Sequence, residues 1–150
     1  MSRSKSSRNV VPRARRVEGR SPGRSAAKGP SSDAIFTVLT QELSTGITAY
    51  TFTGSMVLGN RLTDVEHTIG EKIRQGSSKI VLDFTELDLI DSAGIGMLTV
   101  WLGSTEREGG KIAVAGATGR VKQLLEFAHL DRLLGMFPDL ASAHSALVKA

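Results

Sequence analysis

From Ala34 onward, the hydrophobic pattern alternates between the periods of strands and of helices. The runs "AIFTVLT" and "ITAYTFTG" mix β-branched and other apolar residues on either side of the turn-forming "QELSTG". They predict a β-hairpin or two adjacent strands. A helix over 61–75, closed by Gly76, is predicted from apolar residues that recur at spacings of three and four, namely Leu62, Val65, Ile69 and Ile73.

Two short apolar runs, "KIVLDF" and "KIAVAG", predict central strands that are buried on both faces. Further helices are predicted from Gly94 to Glu108, from Val121 to Ala128, and after a capping Asp139. The run "LLGMF" predicts a short edge strand. This alternation of strands and helices predicts an α/β fold with a mixed sheet of four to five strands and about four helices.

The first 33 residues differ from the rest of the chain in composition. They carry nine Lys or Arg side chains against Glu18 and Asp33, a formal charge of +7, whereas the remainder of the chain sums to −3. This stretch has no aromatic residue and no apolar period, so we predict a disordered basic tail over 1–33 and one domain over 34–150. Such a tail could contact nucleic acid weakly, contact an acidic partner, or serve as a solvated extension.

The composition excludes disulfide-stapled folds and thiolate metal sites, because the chain contains no cysteine. No apolar run approaches the roughly 18–20 residues of a membrane helix, and no apolar stretch follows the basic N-terminus as in a secretory signal. The carboxylates and histidines lack the spacing of metal ligands. We therefore expect a cytoplasmic protein that has no membrane segment, no metal and no cofactor.

The most informative motif is "DSAGIG", which begins at Asp91, follows a predicted strand and opens a predicted helix. Asp91 or Ser92 can cap that helix, whose first N–H groups attract negative charge. Ala93, Gly94 and Gly96 are small, so that a protein or a nucleotide can approach the Ser92 hydroxyl closely. The spacing alone leaves three interpretations open: a phosphate-binding site, a phosphoacceptor serine and a plain capped turn.

Two other interpretations fit the residues less well. The hydrolase elbow G-x-S-x-G requires a glycine two residues before the serine, where this chain has Ile90. The histidines are expected at the surface, since no clear triad partner stands beside His67, His129 or His144. The run "GATG" from Gly116 lacks the full G-x-G-x-x-G fingerprint, so it predicts a strand-to-helix turn. We expect no enzyme activity and no catalytic residue.

The helix after Ser92 has two candidate faces. Ile95, Leu98 and Leu102 share one face, which is predicted to pack on the sheet. Met97 and Trp101 fall largely off that face, as does Val100. Exposed Met and Trp are typical of a binding surface, whereas neighbouring helices that cover them would make both residues part of the core.

The motif and its context resemble the STAS domain of bacterial anti-sigma factor antagonists. The similarity rests on "KIVLDFTELDLI", on "DSAGIGML", which matches the pattern D-S-[SA]-G-[IL]-G, and on "EGGKIAVAGATGRVKQLLEFAHLDRLL". It extends over 34–148, essentially all of the predicted folded part. The resemblance implies a STAS fold and a partner-switching regulator of transcription.

In this family the serine directly after the motif aspartate is phosphorylated by a cognate anti-sigma factor, a serine kinase of the histidine-kinase-like fold. The resemblance implies that Ser92 is this phosphorylation site. It further implies that the unphosphorylated protein binds the anti-sigma factor and frees a sigma factor, and that a serine phosphatase restores the complex after phosphorylation breaks it. Asp91 would cap and orient the loop, while Gly94 and Gly96 would permit close approach of the partner.

Two departures from the family pattern bear on the partner. Ala93 stands where the family often has a second serine, which leaves Ser92 as the one hydroxyl of the motif. Many members end their second strand in G-E-[LI]-D, whose acidic residues help to meet the kinase. Here Gly54 is followed by three partner-binding candidates without that acidic pair, Ser55, Met56 and Val57.

Two alternatives remain beside the anti-sigma factor antagonist. One is a STAS adaptor subunit of a lipid-transport or stress-signalling complex. The other is a nucleotide-binding sensor that uses the N-terminus of the helix after Asp91 as its phosphate site.

Overall fold

The computed structural model describes residues 36–59 and 61–150, so the predicted tail over 1–33 lies outside the described residues. Strands and helices alternate along the chain in the predicted order. The elements are β1 Thr37–Ser44, β2 Ile47–Met56, α1 Leu62–Arg74, β3 Lys79–Ile90, α2 Ser92–Arg107, β4 Lys111–Ala115, α3 Gly119–Phe127, a single 3-10 turn Leu130–Arg132, β5 Gly135–Phe137 and α4 Leu140–Val148. The predicted mixed α/β architecture is therefore confirmed.

The five strands form one sheet in the sequential order β1-β2-β3-β4-β5. β1 pairs antiparallel with β2 through a tight turn at Gly46, whose φ of 82° lies in the left-handed region that glycine tolerates. The pairs β2–β3, β3–β4 and β4–β5 are parallel. Each parallel connection moves one strand in the same direction, so right-handed crossovers place α1, α2 and α3 on the same face of the sheet.

The larger core lies between the sheet and these three helices. The predicted face of α1 is buried along its whole length, from Leu62 to Ile73. β2 and β3 contribute alternate residues to this core, among them Phe52 and Leu82, because successive strand side chains point to opposite faces. Residues that the helical and strand periods predicted to be buried therefore pack together in this core.

A smaller core lies on the opposite face, where α4 packs. Ala143 and Leu147 of α4 meet small strand residues, including Ala113 and Ala115, which let the helix approach the sheet closely. The Asp139 carboxylate caps α4 by accepting a hydrogen bond from the Ser142 backbone N–H at 2.8 Å, as the sequence predicted. This hydrogen bond holds the pKa of Asp139 below its ordinary value.

Met97 and Trp101 belong to the larger core, which corrects their assignment as partner-binding candidates. Their side chains are 2% and 0% exposed because α1 and the sheet cover them. The Trp101 indole N–H donates to the Glu66 carbonyl of α1 at 3.2 Å, and its ring stacks on Phe52 with centroids 6.2 Å apart. The alternative that neighbouring helices cover both side chains is confirmed.

Replacing Trp101 by alanine tests its place in the core. We expect Trp101→Ala to lower the free energy of unfolding by about 3–5 kcal/mol, as for other large buried aromatic side chains. The matched control is Val100→Ala, because Val100 is the preceding residue on the same helix and is 47% exposed. That control should stay within about 0.5 kcal/mol of the parent. Chemical denaturation followed by circular dichroism measures both, and similar losses in the two variants would contradict this assignment.

The one tyrosine of the chain provides a pH test of the same core. Burial raises the pKa of Tyr50 well above its ordinary value, against a smaller opposing effect of the Ser77 hydroxyl. Since the unfolded chain ionises first, the folded state should lose stability as the pH rises above about 10. We expect Tyr50→Phe to remove that part of the alkaline loss, measured as the difference in unfolding free energy between neutral and alkaline pH. An identical alkaline loss in the variant and the parent would exclude Tyr50 as its source.

Candidate functional site

The Asp91 carboxylate ties together two segments at the carboxyl ends of β2 and β3. One oxygen, Oδ1, accepts a hydrogen bond from the Gly94 backbone N–H at 3.0 Å and thereby caps α2. The other oxygen, Oδ2, accepts from the Leu58 backbone N–H at 3.0 Å, in the loop after β2. Of the two predicted caps, Asp91 is thus the residue that caps the helix, and it also fixes the neighbouring loop.

Ser92 is the first residue of α2 and its side chain is exposed. The helix begins with the Ile95 backbone N–H donating to the Asp91 carbonyl at 2.9 Å. The first N–H groups of any helix lack intrahelical acceptors, and together they carry a partial positive charge. The Ser92 hydroxyl therefore stands at a solvent-facing point that favours an anionic group.

The two glycines of the motif have different roles. Gly94 is buried, and a Cβ added there would lie 2.6 Å from Cγ1 of Ile90 and 2.7 Å from the Met56 carbonyl oxygen. Gly96 is exposed, and a Cβ added there would meet nothing within 4 Å. Gly94 therefore permits the close approach of α2 to the end of β2 within the molecule, which corrects its expected role in partner approach. Gly96 leaves the outer surface of the first turn of α2 without a side chain at that position.

A model of the STAS domain family matches residues 39–143. The chain belongs to the STAS domain family. A relative in sequence, from Thermotoga neapolitana, is provisionally named an anti-sigma factor antagonist, TM1081 homolog, and is 29% identical over 73 residues. The match covers 49% of this chain and 65% of that relative, so it spans a little less than two thirds of the relative's length.

Solved structures share the fold at low sequence identity. The anti-sigma factor antagonist SpoIIAA of Bacillus superposes in its unphosphorylated form with a TM-score of 0.68 at 16% identity, over 76% of this chain and 98% of that one. Its phosphorylated form gives 0.62 at 16% identity, over 73% and 98%. A sulfate transporter family protein from Wolinella succinogenes gives 0.61 at 21% identity, over 73% and 93%. These likenesses establish the STAS fold.

The three candidates that replace the acidic pair of the family are buried in this STAS domain. Ser55 and Met56 are 0% exposed and Val57 is 5% exposed. Ser55 and Met56 pair with Leu89 and Ile90 of β3, and Met56 belongs to the larger core. Because all three residues are buried, their side chains cannot contact a partner in this conformation. Their assignment as partner-binding side chains is thus corrected to a structural one.

Leu58 is the surface residue that the sequence reasoning missed. Its side chain is 77% exposed, although its backbone N–H is bound to the carboxylate that caps α2. Gly59, directly after Leu58, and Arg61 both have positive φ. The signal in the sequence was a large apolar residue directly before a Gly-Asn dipeptide, where no core position was predicted.

Along the chain, the charges near Ser92 are acidic. No Lys or Arg lies between Lys79 and Arg107, whereas Asp83, Glu86 and Asp88 precede Asp91 along the same stretch. Glu86 and Asp88 are exposed. A negative group added at Ser92 would therefore lie at the favourable helix terminus and directly after the Asp91 carboxylate.

The remaining candidates occupy structural positions. His67 and His129 are exposed, and His144 is half-buried and hydrogen-bonded to the Ser44 hydroxyl at 2.9 Å. The turn after β4 is a strand-to-helix connection in which a side chain at Gly116 would strike Thr85. Among residues 36–59 and 61–150, no group of His, Asp or Glu could hold a metal, and no helix is long and apolar enough to cross a membrane.

The two motif glycines offer a matched pair of substitutions. Gly94→Ala should destabilise the domain and displace the start of α2, because the new Cβ meets the Met56 carbonyl oxygen, which is backbone, as well as the buried Ile90 side chain. Gly96→Ala should keep or raise stability, by up to about 1 kcal/mol, since alanine is the better helix former and the space is open. Thermal unfolding of both variants measures the contrast. Equal destabilisation by the two substitutions would contradict the packing role of Gly94.

Proposed function

We propose that this STAS domain is a partner-switching regulator of a sigma factor. In its unphosphorylated form it binds an anti-sigma factor that is a serine kinase, and phosphorylation of Ser92 by that kinase breaks the complex. A serine phosphatase restores the binding form. Ser92 is thus a substrate residue of another enzyme, and the domain itself serves as a binding module.

The observation that carries this proposal is the exposed Ser92 hydroxyl at the first position of α2, directly after the capping Asp91. A kinase must reach the hydroxyl, and the exposed side chain and the open space at Gly96 leave it accessible. The helix terminus also stabilises the phosphorylated product. The names of the Thermotoga relative and of SpoIIAA are consistent with this function.

The geometry supplies a way for phosphate to change the surface. A phosphate group adds about −1.5 to −2 charges next to the Asp91 carboxylate. That carboxylate also holds the Leu58 backbone N–H, so repulsion at Asp91 acts on the loop that carries the exposed Leu58. In this proposal Leu58 and Ser92 form one contact surface for the kinase, and a dianion in it costs desolvation and repels acidic groups of the partner.

The partner contact should differ in chemistry from that of relatives with an acidic pair after the second strand. Here that pair is replaced by Ser55 and Met56, which are buried, and the exposed residue that follows them is Leu58. An apolar contact gains affinity from the area removed from water and carries little charge selectivity. We therefore propose a cognate anti-sigma factor that presents an apolar patch to Leu58.

Two substitutions at Ser92 separate partner switching from a plain adaptor or a nucleotide sensor. Ser92→Ala should bind the cognate kinase as tightly as the unmodified protein, while resisting phosphorylation. Ser92→Asp should weaken binding by about tenfold or more, a loss of at least about 1.4 kcal/mol, because it places a charge in the contact surface. Calorimetric titration against the serine-kinase anti-sigma factors of the same genome, with phosphate incorporation from labelled ATP, measures both effects.

The matched control is Ser145→Asp, which adds the same charge at an exposed position of α4 on the opposite face of the sheet. It should leave kinase binding unchanged. Equal binding by Ser92→Ala and Ser92→Asp would rule out switching at this residue and favour the adaptor. Saturable binding of a nucleotide by the isolated, unmodified domain would instead favour the sensor.

A further inference from the structure

The smaller core leaves part of its sheet face open. Pairing across three strands places Leu39, Thr51 and Asp83 in one row and Thr37, Thr53 and Glu86 in the next. Paired residues in neighbouring strands point to the same face. The first row continues through Ala115 and Phe137, which pack in the core beneath α4. We call the six residues of these two rows the open sheet face.

α4 covers this side of the sheet only in part. Its contacts with the sheet fall mainly on β3, β4 and β5. The strand residues of the smaller core come mainly from these three strands and, at Ile47 and Ala49, from the start of β2. None of the six residues of the open sheet face belongs to either core. Leu39 is 64% exposed, and Thr53 and Glu86 are exposed as well. A large apolar side chain thus stands on a face that is otherwise polar and acidic.

The chain enters the described structure at this place. Phe36 precedes β1, and Thr37 is the first strand residue and a member of the open sheet face. Glu86 lies two strands away, about 10 Å at the usual spacing between strands. Three or four extended residues span that distance, so residues 1–33 can reach the face.

Charge and composition match this segment to the face. Residues 1–33 carry the formal charge of +7, whereas the open sheet face carries Asp83 and Glu86 and no positive charge. The segment also contains apolar side chains that could cover Leu39, at Val10, Val11 and Val17. We infer that the chain's own basic segment 1–33 docks on the open sheet face. Docking does not depend on phosphorylation of Ser92, but it brings positive charge beside the acidic end of β3 that precedes Ser92.

The absence of cysteine makes the docking measurable in the full chain. A nitroxide attached at Ser21→Cys is the sole label of the protein. We expect paramagnetic broadening of the backbone amides of Thr51, Thr53 and Glu86 to exceed several-fold that of Thr63 and Asp64. The latter two lie on α1, beside Arg61, whose guanidinium donates to the Phe36 carbonyl at 3.5 Å. Both groups of amides therefore lie near Phe36, where the segment joins the described structure. The first group belongs to the strands of the open sheet face, and the second belongs to a helix on the opposite side of the sheet.

Charge reversal and salt supply the controls. Glu86→Lys should abolish the difference in paramagnetic broadening between the two groups of amides. Glu126→Lys, the same change at an exposed position of α3, should leave that difference unchanged. Raising the ionic strength from about 0.1 M to about 1 M shortens the Debye length from about 10 Å to about 3 Å and should weaken the broadening several-fold. Equal broadening on both faces, or a difference that survives Glu86→Lys, would overturn the inference. The same pattern between isotope-labelled and nitroxide-tagged chains in a mixture would show a second copy on the face and would also overturn it.

Discussion

The Asp91 carboxylate is the interaction on which the functional end of the domain depends. Its two oxygens bind backbone N–H groups from two segments, at Gly94 and Leu58, that are far apart in sequence. A carboxylate accepts hydrogen bonds without having to donate one, so both bonds form without a competing donor. Hydrogen bonds to a charged acceptor are also stronger than those between neutral groups. The position of Ser92 relative to the loop after β2 is therefore fixed by the residue directly before it.

Close packing sets a second constraint at the same place. The Met56 carbonyl accepts from the Asp91 backbone N–H at 3.3 Å, and the same oxygen leaves no room for a side chain at Gly94. The end of β2 is consequently pressed against the start of α2 at Met56, and Ser55, Met56 and Val57 are all buried. A substitution in this segment would act on the geometry around Ser92 even though the substituted side chain is buried.

Much of the fold follows from local patterns in the sequence, because periodicity reports which face of an element is buried. The face of α1 from Leu62 to Ile73 was predicted in full, as was the cap at Asp139, and Asp91 was one of two residues predicted to cap α2. The helix α2 is different, since it packs on the sheet on one side and on α1 on another. A helix with two buried sides shows no single apolar stripe, so its own sequence could not decide whether Met97 and Trp101 face a partner or the core.

The candidate site was predictable where it is local and unpredictable where it joins distant segments. "DSAGIG" identified the capped helix and its serine, but the roles of Gly94 and Leu58 depend on the end of β2, more than thirty residues earlier. That dependence decides which contact a phosphate at Ser92 would alter under the proposed function. The dianion gains from the helix terminus and loses to Asp91, so its main effect is not on the stability of the helix. Under the proposed function it falls on the hydrogen bond from Leu58 to the carboxylate, which joins the residue before Ser92 to an exposed apolar side chain.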